Sequence, residues 1–359
     1  MKINFEQIEL DASSSNELRL RYYDGLHALI DEKARQAVKY RSEYCSPSEM
    51  AANRERYRKE YISMLGWPLT EYNDHSDIPF TKELIEEHED LKIYRLCLET
   101  ISGVWFQGLL YVPSECSKDA PLAIVLPGGG YRVEELVRCK RYSAEGYQNI
   151  GGRTLENGVM VYAPQLMVWN DEDHDIKEPA TRQFLDVKLK ALGGSLAALE
   201  ILNVRCALDW LIAHEPINSE KIGAMGLSYG GFYALYLAAA EPRIKSVFSS
   251  CFLCDRFGSR RTTGQCRSDW LWQNSANRFF DAEVAALIAP RALYLENGDQ
   301  DELFPVENSM EEWERLKPYY EAADASEKLL LHHGTFGHCV SSGELGLSFF
   351  LKHLTGKES

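Results

Sequence analysis

Short apolar runs alternating with helical stretches from residue 121 onward predict an α/β fold: a doubly wound, mostly parallel sheet with an N-terminal helical extension. Three observations carry this. The runs LAIVLP, VMVYAP, KIGAMGL, KSVFSS, RALYLE and KLLLHH are short and almost wholly apolar, as strands buried on both faces of a parallel sheet must be. Helical stretches, notably Leu196–His214 and Phe232–Glu241, separate most of them, and alternating β and α units pack as helices on both faces of one sheet. Residues 1–66 lack such runs and read as helical.

Within that extension, Leu18, Tyr22, Leu26, Leu29 and Ile30 recur at spacings of three and four and form one apolar stripe. A second helix has its own start signal: Ser46 as cap, Pro47 at the first helical position and Glu49 completing a capping box. Gly66 and Pro68 mark its end. The period then changes. LKIYRLCLET and VWFQGLLYV are β-rich and are split by Ile101-Ser102-Gly103, which predicts a hairpin or adjacent strands. The expected organisation is a helical extension over 1–90 packing on the core and an α/β domain over 91–359. Two stretches without clean periodicity, about 165–194 and 255–280, are expected to run as lid-like excursions over the sheet's C-terminal edge.

Bulk properties narrow the function. The 359 residues are 45% hydrophobic and 26% charged, ordinary values for a soluble globular chain. A net charge of −15 with no Lys/Arg-rich stripe argues against nucleic acid and against anionic membranes as partners. No apolar run is long enough to span a bilayer. The start MKINFEQIELDASSSNE lacks the pattern of a secretory leader, and nine scattered cysteines fit reduced thiols, so a cytoplasmic location is expected. Cys251 and Cys254 form a lone CxxC, read as structural. The acidic run Asp171, Glu172, Asp173, His174, Asp175 matches no ligand template and reads as a solvated loop, so neither metal nor cofactor is expected.

The strongest motif is Gly226-Leu227-Ser228-Tyr229-Gly230-Gly231, which follows KIGAMGL and precedes the helix-like FYALYLAAA. A Ser between glycines on a strand-to-helix turn is a nucleophile elbow: the turn lifts the hydroxyl above the sheet edge. Such a serine needs a base, and the base an orienting carboxylate, in the chain order Ser, acid, His. Beyond KLLLHH the chain reads Gly334-Thr335-Phe336-Gly337-His338-Cys339, which offers His338 as base in a glycine-flanked loop, with His333 the alternative and His332 a strand-end residue. At the end of RALYLE and just beyond it four acids crowd together, Glu296, Asp299, Asp301 and Glu302, and periodicity does not choose among them. A tetrahedral intermediate needs pre-aimed donors. One should be the backbone N–H of Tyr229, the residue after the nucleophile. The other should come from Leu126-Pro127-Gly128-Gly129-Gly130-Tyr131, with Gly129 the first choice and Gly130 the second. Tyr131, Trp169, Trp270 and Trp272 are candidate pocket residues, with core or lid packing the bland alternative for the tryptophans.

Together GLSYGG, LPGGGY, APRALYLENGDQDELFP and GTFGHC resemble the α/β-hydrolase superfamily. More narrowly they are similar to bacterial acetyl-xylan-esterase-like and dienelactone-hydrolase-like enzymes, related to the catalytic domain of prolyl oligopeptidases. The resemblance spans about residues 91–355, and the arm ending in LGWPL is similar to that of the acetyl-xylan-esterase group. Those families place the acid three residues after a Gly and shortly before a Pro, which implies Asp301 between Gly298 and Pro305. Where many relatives carry HGGG or HGxG, this chain has Pro127 in place of the His. The resemblance implies a serine carboxyl-ester hydrolase acting through an acyl-enzyme on short-acyl, acetyl-type esters of a carbohydrate or small alcohol, without a cofactor. Three rivals stay open: a serine peptidase, a C–C or lactone hydrolase with the same triad, and a non-catalytic ligand-binding protein on this fold. The expected partner is a small-molecule ester, and a homo-oligomer formed through the helical arm is open.

Overall fold

The computed structural model describes residues 4–9, 12–116, 118–139, 141, 143–168, 182–255 and 267–356. Nine strands form one sheet in the order β1-β2-β3-β5-β4-β6-β7-β8-β9. They are β1 (Phe80–Glu87), β2 (Leu91–Ile101), β3 (Val104–Pro113), β4 (Ala120–Leu126), β5 (Met160–Pro164), β6 (Ile217–Leu227), β7 (Ile244–Ser250), β8 (Ala292–Gly298) and β9 (Leu329–Gly334). β1, β2, β3 and β5 pair antiparallel in sequence along one end, and β5, β4, β6, β7, β8 and β9 pair parallel. The six apolar runs are the six parallel strands, and the predicted hairpin is β2–β3.

From β4 the chain moves to one side to form β5 and then returns to the other side as β6. That reversal is the topological switch point of an open α/β sheet, where crevices form beyond the carboxyl ends of the strands.

Nine helices are described: α1 (Ser13–Tyr44), α2 (Pro47–Leu65), α3 (Ile150–Glu156), α4 (Arg182–Ala191), α5 (Leu196–His214), α6 (Tyr229–Ala240), α7 (Asp281–Ala286), α8 (Val306–Ala322) and α9 (Leu345–Thr355). One sheet face carries α5, α6 and α8 over the larger core, and the other carries α3 and α9 over a second core that includes Val125, Met225 and Phe350. α6 is buried on every side, which is why its sequence is apolar all round rather than striped. Among the described residues no helix is long and apolar enough to cross a membrane.

The extension differs from expectation in two ways. The sheet begins at Phe80, inside the 1–90 segment, because FTKELIEE forms an edge strand whose residues are all exposed. Its charges suit an unpaired edge but give no buried-strand pattern to read. The two long helices also behave differently. α2 packs on the core: Tyr57, Tyr61 and Leu65 are buried, Tyr61 donates its hydroxyl proton to the Tyr236 carbonyl (3.0 Å), and Arg58 donates to the carbonyls of Ala239 and Leu287 (2.9 Å each). α1 meets the body only toward its C-terminal end, at Ala37 and Arg41, while Leu18, Tyr22, Leu29 and Ile30 of the predicted stripe stay exposed.

Candidate active site

Ser228 sits between the end of β6 and the first residue of α6, with φ +59° and ψ −117°. A residue with a side chain is strained there. The sequence tolerates the turn because its neighbours are glycines: a Cβ on Gly226 would run into the Gly230 backbone, and one on Gly230 into the Leu126 carbonyl. The Ser228 N–H donates to Ser250 O at the end of β7 (2.9 Å). Its half-buried side chain makes no hydrogen bond among the described residues.

Asp301 and His338 are brought together. Asp301 follows β8 and His338 follows β9, two strands that pair in parallel. The two loops are laced by backbone bonds, Asp299 N–H to Gly334 O (2.9 Å) and Gln300 N–H to Phe336 O (3.0 Å). His338 Nδ1 lies 2.8 Å from Asp301 Oδ2. The other carboxylate oxygen, Oδ1, accepts the N–H groups of Leu303 (2.8 Å) and Phe304 (3.0 Å). Burial works against the Asp301 charge, but the His338 hydrogen bond and charge together with those two N–H groups outweigh it and set the carboxyl below its ordinary range. With Nδ1–H directed at the carboxylate, Nε2 is the nitrogen left to take a proton.

The other acids of the cluster have different places. Glu296 is buried and holds the histidine loop: its Oε1 accepts Ser341 N–H (2.9 Å) and its Oε2 the Tyr294 hydroxyl (3.0 Å). Burial pushes its carboxyl up. Asp299 and Glu302 are exposed. His332 Nδ1 faces the Tyr294 hydroxyl (3.0 Å), and burial lowers His333, whose Nε2 is enclosed without a hydrogen bond. The geometry therefore separates His338 from His333, and Asp301 from its three neighbours.

The two glycine-loop candidates differ in their backbone bonding. Gly130 N–H, the second choice, donates to Val168 O (2.6 Å) and so is already engaged. Gly129 N–H makes no such bond, and the Gly129 Cα is so close to the Tyr229 ring that a Cβ would stand 3.2 Å from it. The Tyr229 N–H opens α6, where first-turn N–H groups have no partner inside the helix. Tyr147 braces both segments: its buried hydroxyl donates to Leu126 O (2.7 Å) and accepts from Leu227 N–H (3.4 Å).

The pocket candidates divide. Trp270 is buried, its ring 4.8 Å from that of Tyr229, 5.3 Å from Phe252 and 6.0 Å from Phe304. Phe304 in turn stacks on His338 at 5.6 Å and 11°. These rings form one wall running from the elbow to the histidine. Trp272 stacks instead on Tyr236, two turns along α6 from the elbow. Tyr131 is half-buried, edge-on to Tyr147 at 5.4 Å. Trp169 and the acidic run 171–175 lie outside the described residues.

Sequence reasoning missed the layer behind the site. Arg182, Glu200, Asp269 and Tyr233 form a buried polar cluster against Tyr229, with the Tyr229 hydroxyl donating to Asp269 Oδ2 (2.7 Å). The members come from four separate segments, so no local spacing announces them. Cys251, the first half of the CxxC, is buried beside the acid: its Sγ and one ligand atom each of Asp301 and His338 lie within 4.8 Å of one another. Burial, then the Asp301 charge, push its thiol up, so it stays protonated. The eight described cysteines are all unbridged.

The sheet order and its helices give an α/β-hydrolase fold, and the elbow with the Asp301–His338 pair makes this a candidate serine site within it. Residues 198–338 match the X-Pro dipeptidyl-peptidase (S15) family, a segment that holds Ser228 and Asp301 and ends at His338. YtaP of Bacillus subtilis (strain 168), a protein described as a hydrolase, is 28% identical over 134 residues, which are 37% of this chain and 45% of that one. The chain thus spans less than half the length of that curated relative. Among solved structures, a protein described as an acetyl xylan esterase from Bacteroides fragilis NCTC 9343 superposes with TM-score 0.66 at 15% identity, covering 93% of this chain and 84% of that one. A methylesterase gives 0.67 at 18% (91% and 69%), and a glucuronoyl esterase from Solibacter usitatus 0.61 at 16% (83% and 92%). At these identities the structural likeness speaks for the fold.

Proposed function

We propose that this protein is a carboxyl-ester hydrolase working through a Ser228 acyl-enzyme, with short-acyl esters of a carbohydrate or small alcohol as substrates. Two observations carry the reading together: the Asp301–His338 pair in the loops after β8 and β9, and the strained Ser228 turn between β6 and α6. Ser228 Oγ attacks the acyl carbon while His338 Nε2 takes its proton, and Asp301 keeps Nδ1–H in place and stabilises the imidazolium. The carbonyl oxygen becomes an oxyanion held by the N–H groups of Tyr229 and Gly129. As the tetrahedral intermediate collapses, the leaving alkoxide takes the proton from His338. Water then enters with His338 as base, and the acid departs as Ser228 regains its proton.

In support of a short acyl group, Tyr229, Phe252, Trp270 and Phe304 are buried and joined ring to ring through Trp270, an apolar wall against which a small acyl group would sit. Of the structural neighbours' names, that of the acetyl xylan esterase points the same way, and all three name esterases. The S15 match favours one second reading, a serine peptidase.

The test is hydrolysis of p-nitrophenyl acetate, butyrate and octanoate, and of an X-Pro p-nitroanilide, by wild type and Ser228→Ala. Ser228-dependent turnover steeply favouring acetate is expected. Trp270→Ala should move kcat/KM from acetate toward butyrate by about tenfold, since one or two methylenes in an apolar pocket are worth about 1–3 kcal/mol. Turnover of the anilide alone would hand the assignment to the peptidase, and an unchanged acyl preference in Trp270→Ala would remove the wall from the account.

A further inference from the structure

We propose that Arg182 is a positioning residue that holds the two halves of the oxyanion hole in register, an inference that rests on the esterase reading above. The two donors belong to segments with no covalent reason to stay aligned. Gly129 lies in the loop after β4, and Tyr229 lies a hundred positions later at the start of α6. Their N–H groups must converge on a single oxygen, and a misplacement of about 1 Å can cost about 100-fold in rate.

The glycine loop is set by the stretch Leu166–Val168, because Gly130 N–H is tied to Val168 O. That stretch is gripped at the adjacent residue. Met167 N–H donates to Glu200 Oε1 (2.5 Å), and Met167 O accepts from Arg182 Nη1 (2.9 Å). The same guanidinium then reaches the nucleophile helix. Its Nε donates to Asp269 Oδ2 (2.6 Å), the oxygen that also accepts the Tyr229 hydroxyl. Its Nη2 donates to the Tyr233 hydroxyl one turn further along α6, and that hydroxyl donates to Glu200. The guanidinium carbon lies 4.9 Å from the Tyr229 ring centroid and 5.2 Å from that of Tyr233. One planar cation therefore touches, on one edge, the segment that clamps the glycine loop and, on its other edges and face, both tyrosines of the first turns of α6.

The chemistry suits this task. The Arg182 side chain is 8% exposed, and burial works against its charge, but Glu200, Tyr233 and Asp269 outweigh that and keep it ionised. Five donors in a rigid fork can serve a carbonyl, two carboxylates and a hydroxyl at once, which a lysine ammonium with three donors at one point cannot. Substituting Lys keeps the charge that Glu200 and Asp269 need and removes the fork.

The experiment is Arg182→Lys assayed on p-nitrophenyl acetate, with competent sites counted by fluorophosphonate labelling of Ser228 run to completion, so that misfolded protein drops out of kcat. The expected result is a fall of about 10- to 100-fold in kcat per labelled site with KM changed less than about threefold, and weaker binding of a phenylboronic acid by the same factor. Partial recovery of kcat by added guanidinium in Arg182→Ala is the companion expectation. A kcat per site equal to wild type, or a loss confined to KM, overturns the inference. Should Arg182→Lys not fold, Tyr233→Phe carries the same readouts, since it removes the hydroxyl shared by Arg182 and Glu200; an unchanged kcat there is equally fatal. Absence of Ser228-dependent turnover in the wild type would instead strike the esterase reading itself, a distinct outcome.

Discussion

Asp301→Asn changes one oxygen to NH2, and the structure dictates which one. Oδ1 faces two donors, the N–H groups of Leu303 and Phe304, whereas Oδ2 faces His338 Nδ1 alone. An amide placed with its nitrogen at Oδ1 would leave two buried N–H groups unpaired, at about 1–3 kcal/mol each. The asparagine must therefore keep its carbonyl there and aim its NH2 at His338. Nδ1 then has to accept, the ring proton moves to Nε2, and Nε2 is no longer a base. The fold should survive, since the variant is nearly isosteric and every backbone bond is retained. The loss should match that of a triad histidine fixed in the wrong tautomer, about 10⁴-fold in kcat, or about 5.4 kcal/mol of barrier. Initial rates on p-nitrophenyl acetate at pH 7–8 measure it, with the melting temperature as control for folding. Activity within tenfold of wild type would refute the reasoning and direct attention to Glu296 as the orienting acid.

Two further predictions concern stability. Ser228→Ala and Ser228→Gly should both abolish turnover, but the glycine variant should be the more stable by about 1 kcal/mol, because only glycine adopts φ +59° without strain; paired thermal melts would show a gap of about 1 °C, and an alanine variant at least as stable would mean the turn stores no strain. Glu241 is buried, and although burial alone would raise its carboxyl, hydrogen bonds and charge from Arg243 and Arg205 draw it down to about 2. A folded-state pKa below the unfolded one gives stability that is complete above about pH 4.5 and lost as pH falls toward about 2, here on the order of 3 kcal/mol. Urea titrations at pH 7 and pH 3 should therefore show Glu241→Gln clearly weaker than wild type at the higher pH and the gap shrinking at the lower. A constant gap would contradict the shift.

What could be read from the sequence was what is local in it. The elbow, the glycine loop and the His338 loop each lie within a few residues, and each follows an apolar strand whose end fixes its position. Asp301 was harder, because four acids crowd the end of β8 and the loop beyond it, and only the register of β8 on β9 decides which of them meets His338. The edge strand β1 was missed for the opposite reason: FTKELIEE buries nothing, so it carries no apolar alternation to detect. Trp270 and Trp272 stand two residues apart and look alike in the chain. The structure sends one toward Tyr229 and Phe304 and the other onto Tyr236.

Arg182 marks the limit of local reading. Its partners Tyr233 and Asp269 are 51 and 87 residues away, and in the sequence it is one charge in a stretch without periodicity. Yet a buried arginine with two carboxylates is costly to assemble, and cores of this size are often as stable without such a group. Its presence directly behind the elbow is better explained by geometry than by stability. Ser228 is held in a strained turn by glycines that give up their side chains, and Asp301 and His338 are laced together across β8 and β9. The glycine loop alone has no strand partner at the position that matters, because beyond β4 its N–H groups leave the sheet. A polar clamp from outside the sheet supplies the missing restraint, and the Gly130–Val168 bond is where that clamp takes hold. On this argument, loosening the clamp should slow the chemical step while leaving the triad hydrogen bond intact. A His338–Asp301 proton resonance unchanged between wild type and Arg182→Lys, alongside a reduced kcat, would separate the two devices.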